Sequence, residues 1–251
     1  MPVVTIARQL GSGGEEIAAL VGGHLGVRVF DAELLHLASE RSGIPLRYLA
    51  ALDERGRSML RRPADLVRLV PLPPIDPDVP DVFGDRYPPT GPVVARGAGL
   101  VAPAYWAAEA YAALLSRTML ALAAAGAAVL VGRGGNEALA GRPGTLHVLV
   151  TAGERVRIQR VMAAEGLDAY DALDRVRASD RDRAAYVRQF FGGDWLDPRR
   201  YDLVVATDRL TAQAAAEVIA AAARAGAAAE AAGAGAVPAT RSERAAAEAA
   251  G

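Results

Sequence analysis

The chain has 251 residues, 52% of them hydrophobic and 23% charged, with a net charge of −1. That composition is globular, enough for one sizeable core in one or two domains, and it sets up no global field for nucleic acid. Cysteine is absent, which excludes disulfides, thiolate metal sites and cysteine nucleophiles, and all 28 basic residues are arginine, so no site can use a lysine.

Val3 to Ala7 reads as a short buried strand rich in β-branched residues. A glycine cluster follows, Gly11-Ser12-Gly13-Gly14, and then a helix from Glu15 to Leu25, closed by Gly26. Val27 to Phe30 is a second strand, and Asp31 is placed to cap a helix from Ala32 to Ser42. Ile44 to Leu60 has a weak helical pattern. Pro71 to Pro92 holds eight prolines in 22 residues and reads as a loop. Ala104 to Ala125 is a long helix, and Ala128 to Val131 is a strand that ends in Gly132-Arg133-Gly134-Gly135. Leu146 to Thr151 is a strand, Glu154 to Glu165 a helix and Ala169 to Phe191 a longer helix, before a strand at Leu203 to Ala206 and a helix at Ala212 to Ala225. Nearly all-apolar strands alternating with helices predict an α/β fold, a parallel five-stranded sheet covered on both faces. Residues 1–225 form the expected domain, with 43–103 as an insertion, and 226–251 read as a low-complexity, disordered tail. The longest apolar run, Thr118 to Val131, is short of membrane length, and Met1 to Gln9 lacks the pattern of a secretory signal. A cytoplasmic protein without a membrane partner is expected.

Strand, glycine loop, helix is the geometry of an anion site, because N–H groups at a helix start point outward and carry the positive end of the dipole. A dinucleotide fingerprint would need glycine where Glu16 stands. The Walker pattern would need lysine at Gly14 and Ser or Thr at Glu15. A tight turn that binds nothing is the alternative to a phosphate cradle.

The run Thr5-Ile6-Ala7-Arg8-Gln9-Leu10-Gly11-Ser12-Gly13-Gly14-Glu15-Glu16-Ile17-Ala18 resembles the opening of the cytidylate kinase-like family. Phe30-Asp31-Ala32-Glu33-Leu34-Leu35, Val129 to Gly135, Asp180 to Tyr186 with Phe190 to Trp195, and Tyr201 to Thr207 resemble later segments of that family, in the same order. The likeness spans about 1–42 and 104–224. It implies a P-loop-type fold with an inserted acceptor-binding segment and a helical lid. It also implies transfer of the γ-phosphoryl group of ATP, with Mg2+, to a nucleoside monophosphate, CMP or dCMP first.

On that resemblance, Gly11, Ser12, Gly13 and Gly14 cradle the donor phosphate, with Glu15 beside them and Ser12 or Glu15 touching the metal. Arg8 is the nearest basic residue to replace the absent lysine, or else forms a structural ion pair. Arg133 matches an arginine that contacts the acceptor, although Gly134 stands where cytidylate kinases carry aspartate; the alternative is a strand-end tether. Asp180 and Arg183 match an Asp-x-x-Arg pair of the lid, and Arg181 and Arg188 could add charge or be solvated. Asp31 is either an acceptor-site residue or the helix cap. His24, His36 and His147 lack metal spacing and read as packing or surface residues. Two other activities stay open: a nucleotide-binding module without turnover, and a kinase of a small non-nucleotide acceptor.

Overall fold

The computed structural model describes residues 2–43, 46–52, 104–231 and 233. The Pro71 to Pro92 loop, most of the 43–103 insertion and the tail beyond Ala231, Gly233 apart, lie outside the described residues. Five strands form one sheet: β1 (Val3–Arg8), β2 (Arg28–Phe30), β3 (Ala128–Val131), β4 (Thr145–Thr151) and β5 (Leu203–Ala206). Their order is β2-β3-β1-β4-β5 and every pairing is parallel. The first strand is thus central, and its carboxyl end, where the glycine loop begins, is flanked by the ends of β3 and β4.

Alternation along the strands builds two cores. Val3, Leu130 and Leu149 face one side, toward α2 (Glu33–Ser42), α3 (Leu46–Leu52), α4 (Ala104–Ala125) and α7 (Ala169–Phe190). Val4, Ile6, Val129, Val131, Val148, Val150 and Val205 face the other, toward α1 (Gly14–Leu25) and α8 (Ala212–Ala231). Ile17 and Val21 of α1 meet Ala215, Ala216 and Ile219 of α8 in that second core. Burying a residue such as Ile17 stabilises by roughly 2–3 kcal/mol. Gly22 lets α1 come close to the sheet, since a Cβ there would lie 2.4 Å from Val29 Cγ2.

The expected strands and major helices are all present, with three differences. The last helix continues past 225 to Ala231, so the first residues assigned to the tail are helical. Alanine has the highest helix propensity, and this run offers little else. Two short elements were not anticipated, α5 (Gly135–Ala138) and a 3-10 turn at Pro198–Arg200. Within Ile44 to Leu60, only α3 lies among the described residues. The remaining helix, α6 (Glu154–Glu165), follows β4 as expected.

His147 packs inside the sheet, with Nδ1 2.8 Å from Thr5 Oγ1 and its backbone N–H donating to Asp202 at 2.7 Å. Burial pushes the imidazole below its ordinary 6.5, against the opposing pull of Asp202. The unfolded chain therefore binds the proton more readily, and stability contributed by neutral His147 is lost as the pH falls below 6.5. Thermal melts from about pH 7 to about pH 5 are expected to show a shallower fall in Tm for His147→Gln than for wild type. Identical slopes would contradict this.

Candidate functional site

The loop after β1 is shaped by glycines in the left-handed region, Gly11 at φ +77° and Gly13 at φ +79°. Gly13 is the N-cap of α1 and brings no side-chain acceptor, so no cap covers the first-turn N–H groups of the helix. The first helical bond runs from Ile17 N–H to Gly13 O at 3.0 Å. A Cβ at Gly13 would meet nothing within 4 Å, which leaves open space on that side of the loop. Such an array of outward amides fits an anion. Ser12 points the other way: it is fully buried, and its hydroxyl donates to Gln9 O at 2.7 Å. Ser12 therefore offers the cleft neither its hydroxyl nor its N–H, which donates to Gln9 O at 3.1 Å, and this speaks against the metal contact expected of it.

Arg8, the last residue of β1, is buried directly beside Gly14. A Cβ on Gly14 would lie 2.4 Å from Arg8 Cβ and 2.9 Å from Arg8 Cγ. The stem of Arg8 thus fills the space into which a side chain at 14, the Walker lysine position, would leave the backbone. Its Nη2 reaches Glu15 Oε1 at 3.5 Å and Asp31 Oδ2 at 3.6 Å. Glu15 is exposed at 68% and projects from the first turn of α1.

Asp31 does not cap α2. That helix starts at Glu33 with Ala32 in the N-cap position and no side-chain cap bond. The Asp31 carboxylate is drawn instead to two buried guanidiniums, because charge-assisted pairs are stronger than a bond to a neutral amide. Arg133 Nη1 donates to Asp31 Oδ1 at 3.0 Å and to Asp31 O at 2.7 Å. Arg133 is 2% exposed and ties the end of β3 to the end of β2. Its backbone is left-handed at φ +54°, between Gly132 at +73° and Gly134 at +71°. Tyr186 of α7 donates to Arg133 O at 3.3 Å. A Cβ on Gly134 would strike the Phe191 ring at 2.3 Å, so an aspartate there has neither the backbone conformation nor the room.

On α7 the charged residues divide by face. Asp180, expected with Arg183 as a substrate-binding pair of the lid, has both carboxylate oxygens engaged by Arg157 of α6, at 3.0 and 2.8 Å, and so joins two helices. Arg183 is buried and bonds the Ser179 hydroxyl. Arg181 and Arg188 are exposed, off the stripe of Ala172, Val176, Arg183 and Val187 that α7 buries, and the structure does not gather them with Arg183.

Three residues with roles here were not anticipated. Arg157 backs onto the loop: a Cβ on Gly11 would lie 2.6 Å from Arg157 O. Arg160, one turn further along α6, donates to Gly11 O at 3.3 Å and to Thr207 Oγ1 at 2.9 Å. Thr207, just past β5, donates to Ser12 O at 2.8 Å. The available signal was positional, an i,i+3 arginine pair after one strand end and a hydroxyl at another. Among the described residues, no three His, Asp or Glu side chains gather as a metal cluster. No helix among them is long and apolar enough to cross a membrane.

A family model described as the cytidylate kinase-like family matches residues 3–209. Among solved structures, an uncharacterized protein from Eubacterium ventriosum ATCC 27560 is similar with a TM-score of 0.58 at 18% identity, covering 89% of this chain and 99% of that one. TT1252 from Thermus thermophilus gives a TM-score of 0.45 at 22% identity, covering 89% and 97%. No curated protein matches the chain. The first of these likenesses shows a shared fold, and the family model together with the five-stranded parallel sheet gives a P-loop NTPase-like kinase fold.

Proposed function

The chain belongs to the cytidylate kinase-like family, and from that premise we propose that it transfers the γ-phosphoryl group of ATP to a nucleoside monophosphate, CMP or dCMP first. The observation that carries the proposal is the exchange of positions at the loop: Arg8 stands in the space that a Walker lysine would need, behind uncapped helix amides. In this reading the amides of Gly11, Gly13 and Gly14 hold the donor phosphates, while the Ser12 amide is taken by Gln9 O. Arg8 supplies the fixed positive charge for the migrating group. Asp31 stands on the acceptor side, and Arg133 acts through it, as a buried anchor that sets its position.

Bound MgATP would supply the phosphoryl group and the divalent charge. Mg2+ commonly binds through one or two carboxylates plus substrate phosphates. Glu15 and Asp31, which converge on the same Arg8 nitrogen, are the residues placed to share it. A carboxylate beside a phosphate is repulsive unless a cation intervenes, so Glu15 also supports this arrangement only with the metal present. Arg183 is the lid arginine nearest in character to a phosphoryl-binding group, buried and hydrogen-bonded.

One observation favours a second reading, a nucleotide-binding module without turnover: Arg8 already has two carboxylates within 3.6 Å. A phosphotransfer assay with MgATP across CMP, dCMP, UMP, AMP and GMP separates the two. Turnover of at least one nucleoside monophosphate is expected. Tight ATP binding with no turnover of any acceptor would leave the second reading, and absence of both would remove both. Sugars and other hydroxyl compounds, run as competing acceptors, test the remaining alternative.

A further inference from the structure

An anion cradle built of backbone amides has a hidden requirement. If its N–H groups face the ligand, its carbonyl oxygens face the protein, and each needs a partner there. The loop meets this requirement at Gln9, Gly11, Ser12 and Gly13. Gln9 O accepts from Ser12 N at 3.1 Å and from Ser12 Oγ at 2.7 Å. Gly13 O accepts from Ile17 N at 3.0 Å, inside α1. Two of the carbonyls between them are met from outside the loop, Gly11 O by Arg160 Nη1 and Ser12 O by Thr207 Oγ1.

Those two partners are themselves locked together. Arg160 Nη1 donates to Thr207 Oγ1 at 2.9 Å, and Nη2 donates to Thr207 O at 2.7 Å. Thr207 N donates to Thr151 O at 2.9 Å, which fixes the threonine at the end of β4. A hydroxyl has one proton, and here it goes to Ser12 O, the nearer acceptor at 2.8 Å, over Thr151 O at 3.2 Å. The guanidinium fills the hydroxyl's acceptor side. Polarised in this way, the Thr207 hydroxyl is a better donor to the loop than an isolated one.

We infer that Arg160 and Thr207 are positioning residues of the phosphate loop: they hold the carbonyls of Gly11 and Ser12 on the protein side, and with Ser12 O held there the N–H of the same peptide, that of Gly13, is kept turned toward the nucleotide phosphates. The ligand in that statement rests on the kinase reading; the clasp itself does not. Beyond its two bonds to Gln9 O, Ser12 depends on the clasp, because it lies between two left-handed glycines whose backbones are free to rotate.

The test uses the full chain and the variants Thr207→Val, Thr207→Ser and Arg160→Gln. Valine keeps the shape of threonine without the hydroxyl, and serine keeps the hydroxyl. The Ser12 amide, bonded to Gln9 O, is expected to exchange its hydrogen roughly tenfold faster in Thr207→Val, measured without nucleotide, and within about twofold of wild type in Thr207→Ser. The Kd for MgADP, measured by calorimetry, should rise by about tenfold in the valine variant and return in the serine variant. Arg160→Gln, altered at a half-buried surface position, should give the same loop-confined response and carries the test if Thr207→Val does not fold. Unchanged Ser12 exchange in the valine and glutamine variants overturns the clasp. Equal acceleration of core amides in β1 and β4 makes the role one of general stability and also overturns it. Faster Ser12 exchange in a protein whose wild type binds no nucleotide supports the clasp and removes the kinase reading.

Discussion

Replacing Arg8 with alanine is expected to lower kcat by about a hundred- to a thousand-fold, the usual cost of removing a preorganised charge from a phosphoryl or acyl transfer site. The fold should survive, because Asp31 keeps its bonds to Arg133 and the strand register does not involve the side chain. Circular dichroism and thermal melts would establish that before kinetics are read. A second arm makes the result specific. Since the atom closest to a Cβ at 14 is Arg8 Cβ itself, at 2.4 Å, the exchange requires Arg8→Gly with Gly14→Lys. That double variant should recover at least about tenfold of the activity that Arg8→Gly loses, because a lysine then has both room and charge. Wild-type turnover in Arg8→Ala would show that the arginine only pairs with carboxylates.

The second large effect is predicted at Gly11, and Gly13 is its control. Both are left-handed, so alanine at either costs about 1–2 kcal/mol in backbone strain. Only at Gly11 does the added Cβ also collide with backbone, at 2.6 Å from Arg157 O and 2.9 Å from Arg157 Cα. Overpacking of that kind costs a further 1–3 kcal/mol or so, because a helix must shift to relieve it. Denaturant unfolding should therefore find Gly11→Ala less stable than Gly13→Ala by more than about 1 kcal/mol. Nucleotide affinity should fall more steeply as well, since moving α6 moves Arg160 and loosens the grip on Gly11 O. Equal losses for the two variants would mean that strain alone matters and that the loop does not lean on α6.

The frame of the molecule was open to reading because buried parallel strands are nearly continuous apolar runs. Val3 to Ile6, Ala128 to Val131 and Leu146 to Val150 could hardly be anything else in an α/β chain. The glycine loop was legible for the same local reason, since left-handed backbone leaves a glycine signature. What the residue string did not reveal was how long-range pairs divide the charges. Asp31 was a plausible cap until the register of β2 on β3 placed it beside Arg133, 102 residues away. Asp180 read as one half of a lid pair with Arg183, and the sequence held no sign that α6 would offer it Arg157. Arg160 and Thr207 are 47 residues apart, and nothing at either position announces the other. Short elements fared worst: α5 begins with Gly135-Asn136, residues that discourage helix, and is held by tertiary bonds such as Glu137 to Arg200 at 2.5 Å.

The crowding of Arg8 against Gly14 has an evolutionary corollary. On this backbone, two ways of charging the loop exclude each other: an arginine rising from the strand, or a lysine descending from the helix. A lineage passing from one to the other by single replacements must cross either a loop with no cation or a loop with two colliding stems. Such a valley keeps ancestral choices frozen, and descendants would be expected to vary the acceptor side long before they exchange their source of positive charge.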